Sequence, residues 1–145
     1  MLSKVIQVLS NETVQVASTT SQGVLSAPPV TFGAVGANIG GPLTSAPFAT
    51  DNIALWVLLV RVAGTVTGTT PTLLFVVQQS NDQVTWTGVG AALANITAAG
   101  VQVTPYATGT TQGAITQAYV RVVATPGGTA GFFPGVYADL IGQQV

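Results

Sequence analysis

An all-β fold is predicted, a β-sandwich of jelly-roll or immunoglobulin-like type with an extended N-terminal arm, and three observations predict it. Glycine (17), proline (8) and threonine (21) are abundant, while the helix-favouring Lys, Arg and Glu are nearly absent. Apolar segments of about 6–12 residues recur along the chain, separated by Gly, Pro, Asn and Thr turns. Only 5% of the 145 residues are charged, against about 25% in an ordinary soluble domain. Such a surface must be covered by neutral polar groups or by other protein.

Taken in order, Lys4–Leu9 and Glu12–Ala17 alternate polar with apolar residues and are expected to pair across Ser10-Asn11. Leu25–Thr50 holds four prolines and four glycines, which disrupt regular pairing. It also carries Phe32, Leu43 and Phe48, so it reads as an arm or long loop lying on something apolar, its own domain or a neighbour. Asn52–Ala63, Pro71–Ser80, Val84–Val89, Val101–Ala107, Thr116–Thr125 and Phe132–Ile141 complete the strands. This divides the chain into N-terminal strands plus arm (1–50) and a β-sandwich domain (51–145).

Alternation orients two strands. Trp56, Leu58, Val60 and Val62 form one apolar set and should face the core. Ala118, Val120, Val122 and Ala124 should do the same, leaving Tyr119, Arg121 and Val123 outside. Val60–Thr65 and Val120–Thr125 look alike, although two short Val-rich windows do not establish a duplication.

Charge and composition exclude several function classes. Lys4, Arg61 and Arg121 are the only cations, too few for a nucleic-acid footprint. The apolar run Ile53–Ala63 contains Arg61 and is shorter than the roughly 20 residues of a spanning helix. The N-terminus interleaves polar with apolar residues, so cytosolic synthesis is expected.

The absence of His and Cys removes the usual general base, the thiol nucleophile and the common transition-metal ligands. The acids Glu12, Asp51, Asp82 and Asp139 show no spacing that favours a catalytic pair. They are also too few for a multi-carboxylate calcium cage, though Asp82 with turn carbonyls could hold one ion loosely. Gly88-Val-Gly-Ala-Ala-Leu93 lacks the third glycine of a dinucleotide loop. No enzyme activity, cofactor or metal is therefore expected. Trp86 with Trp56, Tyr106, Tyr119 and Tyr137 could form a sugar-stacking platform, but core packing and hairpin closure explain the same aromatics. Arg61 and Arg121, the charges of the central strands, are candidate interface residues, as are the arm aromatics Phe32 and Phe48.

The segment Pro71-Thr-Leu-Leu-Phe-Val-Val-Gln-Gln-Ser-Asn-Asp-Gln-Val-Thr-Trp-Thr87, with Ala118-Tyr-Val-Arg-Val-Val-Ala-Thr125 and a following Gly-Gly-Thr, resembles a hairpin pattern of small proteins from tailed-bacteriophage heads. The likeness runs from about Asn52 to the C-terminus and implies a capsid decoration, or cement, protein. Such proteins are commonly β-sandwich or jelly-roll trimers on the capsid exterior. The implied partner is the major capsid protein, with no direct nucleic-acid or membrane contact and no catalytic residues. A tail or head-fibre component and a carbohydrate-binding module are the alternatives.

Overall fold

The computed structural model describes residues 3–16, 38–41 and 43–144. Among them are nine strands and no helix: β1 (Ser3–Val16), β2 (Asn38–Gly41), β3 (Leu43–Thr44), β4 (Phe48–Ala49), β5 (Leu55–Val62), β6 (Thr67–Ser80), β7 (Thr87–Gly88), β8 (Gly100–Tyr106) and β9 (Tyr119–Gln143). All belong to one curled sheet, a half-barrel, antiparallel except where β2 runs parallel to β1. The all-β prediction is thus met, with one continuous sheet in place of two separate layers.

The 25-residue β9 is the spine. Along one edge it pairs with β5 (Leu55↔Gln143 to Val62↔Val136) and then with β6 (Thr67↔Phe132 to Ser80↔Tyr119). Along the other it pairs with β1 (Ser3↔Gln143 to Gln15↔Phe132), then with β3 and β4 (Leu43↔Ala124 to Ala49↔Tyr119). Thr116–Thr125 and Phe132–Ile141, expected as separate strands, are two halves of this one strand. The reason is that Pro126–Gly131 bends the strand without ending it. Gly128 sits at φ +85°, where its backbone passes so close to the Thr70 carbonyl that no Cβ would fit. Thr70 and Ala130 also take positive φ, and the β6–β9 register shifts twice between Thr67 and Thr72. Paired irregularities of this kind curve a sheet without breaking it.

The bend brings both halves onto one core. Trp56, Leu58, Val60 and Val62 of β5 are buried with Leu73, Phe75 and Val77 of β6. From β9 come Val120, Val122 and Ala124 in one half and Val136, Ala138 and Leu140 in the other. Each Val, Leu and Phe among them contributes about 1.5–3 kcal/mol by leaving water. The predicted inward sets on β5 and β9 are therefore correct, except that Ala118 is exposed at the strand entry. Trp56 fits because the residue opposite is glycine: a Cβ at Gly142 would lie 2.8 Å from its ring. Its indole N–H donates to the Ile53 carbonyl at 3.0 Å, so no donor is stranded.

Two expectations need correction. Ser10-Asn11 is not a hairpin turn; β1 runs through it as one strand and absorbs three register shifts against β9. Ile6, Val8, Leu9 and Val14 join the common core, because β9 offers a longer partner than a self-paired hairpin would. Val84–Val89 shrinks to the two-residue β7, since residues 81–86 are taken up by a turn. Of the predicted arm, residues 25–37 and Pro42 lie outside the described residues, as do residues 17–24 before it. Its end, Leu43–Thr50, lies on its own subunit: Ser45 exchanges two 2.9 Å hydrogen bonds with Val122, bridging β3 to β4 along β9.

Candidate interaction surfaces

The two segments that carry the phage-head resemblance are hydrogen-bonded neighbours. Gln78 pairs with Arg121 and Ser80 with Tyr119 across β6 and β9. After β6 the chain turns through a network centred on Asp82. Its Oδ1 accepts from the Val84 and Thr85 N–H groups at 2.8 and 2.7 Å and from the Ser80 hydroxyl at 2.8 Å. Ser80 Oγ in turn accepts from the N–H groups of Asp82 and Gln83. The Thr85 and Val84 N–H groups, with the Ser80 hydroxyl, pull the Asp82 pKa down to about 2. The turn delivers Trp86 over Arg121, whose guanidinium lies 4.2 Å from the ring centroid. Arg121 Nε donates to Gln78 Oε1 at 2.7 Å, so the arginine is held from two sides. Partial burial lowers its pKa while the guanidinium stays charged. Gln79 and Asn81 complete the ledge by accepting from the backbone N–H groups of Thr116, Gln117 and Ala118.

The outer face of the other half is built by four adjacent strands, β1, β9, β5 and β8. Register defines its rows: Val5–Ile141–Val57–Pro105, then Gln7–Asp139–Leu59–Val103, then Ser10–Tyr137–Arg61–Val101. Most of these side chains are apolar. Val5, Val101 and Val103 are 63%, 64% and 60% exposed. The alternation of β8 is inverted: its valines face out, while Thr104 (8% exposed) and Tyr106 (1%) face the core. Tyr106 sets this phase by pairing with Trp56 and burying its ring, which pushes its pKa up to about 12. A slip of one residue would bury the valines and expel the tyrosine. Arg61 lies over Tyr137, 5.5 Å from the centroid. Asp139 is partly buried among apolar neighbours, and that desolvation raises its pKa.

Of the four predicted interface residues, Arg61 and Arg121 lie on different halves of the sheet, on opposite sides of the bend in β9. Phe48 is half-buried and packs against the core of its own subunit; Phe32 lies outside the described residues. The aromatic set divides as well: Trp56 and Tyr106 are core, Trp86 has one ring face over Arg121, and Tyr137 is on the other half. Lys4 forms a 2.7 Å ion pair with Asp51, the only one among the described residues, worth at most about 1 kcal/mol at the surface. No group of three or more His, Cys, Asp or Glu gathers among the described residues. An apolar cleft of about 220 Å³ lies between β6 and residues 88–93, with Tyr106 its one titratable group.

The valine-rich outer face was not assigned from sequence. A signal existed, because Val101, Val103 and Pro105 alternate with Gln102, Thr104 and Tyr106. Apolar alternation alone would bury the wrong set. Comparison with known proteins gives no match: no family model, no curated protein and no solved structure is similar to the chain.

Proposed function

We propose that this chain is a structural virion protein that binds the outer surface of a bacteriophage capsid and crosslinks capsid subunits to stabilise the head. The observation that carries the reading is a surface with almost no charge on a bent, tightly paired sheet whose outer valines stand in solvent. Soluble monomers rarely expose contiguous apolar area of this kind. The resembling segments support it further, since they form one ledge of β6 and β9. The finer fold class belongs to the same reading: the two halves of the half-barrel stand in for the two layers of a β-sandwich, joined through β9.

In this role the protein is made in the host cytoplasm and ends on the capsid exterior, with the major capsid protein as partner. It works as a homo-oligomer, a trimer as the resemblance implies, and needs no cofactor, metal or catalytic group. Each oligomer grips several shell subunits through neutral contacts, so release requires several footprints to let go together. Co-sedimentation with purified phage heads tests this. Binding should change less than about threefold between about 0.05 and about 0.5 M salt, because few ion pairs contribute. Failure to bind heads, or a steep loss of binding with salt, contradicts the reading. Binding to a glycan array instead would favour a sugar-binding module.

A further inference from the structure

We infer that the outer face of β1, β9, β5 and β8 pairs with the same face of a second copy of this chain. This goes beyond the proposed role; it shares with it the exposed valines and adds the size and charge of the face.

The first is patterning. Three of the four most exposed large apolar side chains among the described residues, Val5, Val101 and Val103, lie on this one face. They occupy its two outer strands, so the apolar surface spans its full width. β8 directs its valines outward although polar side chains face the core, an arrangement that costs solvation unless something covers it. Strand pairing at the edge of β8 is a poorer route, because Pro105 interrupts its row of donors.

The second is size. Four strands about 4.8 Å apart and three rows about 6.8 Å apart give a face of roughly 400 Å². Two such faces bury about 800 Å², the size of a weak, transient interface.

The third is charge, which selects the occupant. Among its described residues the face carries one cation, Arg61, and one anion, Asp139, on adjacent strands and one row apart. Among the described residues neither forms an ion pair. Asp139 is desolvated without a cation to compensate it. A two-fold axis lying between two stacked faces, above the midpoint of these residues, sets each Arg61 over the other copy's Asp139. The same patch then serves both copies, as an isologous contact requires. A neutral apolar partner would leave both charges buried and unpaired, which is strongly unfavourable.

The test is the mass of the full chain by light scattering, from about 1 to about 500 µM, a window bracketing the affinity of a small interface. The expected result is a doubling, to twice the 14.6 kDa chain mass or, where the proposed trimer also forms, to six chains. Val103→Lys and, separately, Arg61→Glu should raise the dissociation constant at least about tenfold. The charge swap Arg61→Asp with Asp139→Arg should recover most of the loss. Far-UV circular dichroism confirms that each variant is folded. A mass that stays at one chain overturns the inference, as does doubling that ignores these substitutions. A three-chain mass insensitive to Val103→Lys also overturns it, while leaving the trimeric cement reading intact. A six-chain mass that falls to three on Val103→Lys supports both. Head binding, measured separately, decides the proposed function whatever the mass.

Discussion

β5 and β8 are hydrogen-bonded neighbours with opposite patterning. β5 buries its apolar set and leaves Arg61 outside; β8 exposes Val101 and Val103 and turns Thr104 and Tyr106 inward. Both phases are set at one place, where Trp56 pairs with Tyr106. The difference teaches that one large anchored side chain can fix the phase of a strand against its other residues. Leaving two valines exposed costs less than one fully buried tyrosine beside a tryptophan gains.

That comparison can be broken most severely at its anchor. Tyr106→Ala should cost about 3–5 kcal/mol in urea unfolding, as large aromatic truncations in cores do. It should also free β8 to change register, seen as lost protection of the β8 amides in hydrogen exchange. Tyr106→Phe keeps the ring and should keep the phase. A smaller effect follows from making one substitution on both strands. Val60→Ala removes buried methyls and should cost about 2 kcal/mol. Val103→Ala removes exposed ones and should stay within about 0.5 kcal/mol in dilute protein. Equal costs would mean that Val103 is buried and the phase of β8 is wrong.

The smallest effect concerns the Asp82 turn on the other half. Its carboxyl has a folded pKa of about 2, below the ordinary 3.8. A depressed pKa stabilises above the unfolded value and stops doing so as pH falls through the folded one. The turn should therefore hold through pH 4 and loosen only near pH 2. The chemical shifts of the Val84 and Thr85 amides would report it. A transition near pH 4 would contradict the hydrogen-bond network.

Much of the fold was legible in the sequence, for identifiable reasons. β5 and the first half of β9 announce themselves, because their apolar alternation coincides with the buried face. The unity of β9 was hidden, since Pro126-Gly-Gly-Thr reads locally as a turn that ends a strand. Only β6, bending alongside with matched register shifts, keeps the ladder going. Long β1 was hidden for a similar reason: Ser10-Asn11 suits a hairpin locally, but its partner lies more than 120 residues away in β9. Of the interface residues, Arg61 and Arg121 could be placed on outward positions by parity alone. Their partners Tyr137, Trp86 and Gln78 depend on register, which the sequence does not disclose. The outer valines were missed because patterning rules assume that apolar means inward.

The most direct measurement is maleimide labelling of single cysteines, which the cysteine-free chain permits without background. In dilute folded protein, Val103→Cys should label as fast as an unfolded control and Thr104→Cys should resist. At concentrations where two copies pair, Val103→Cys should become protected as well. Fast labelling at position 104 with protection at 103 in dilute protein would overturn the inverted phase of β8. Unchanged labelling at 103 at every concentration would show that no second copy covers this face.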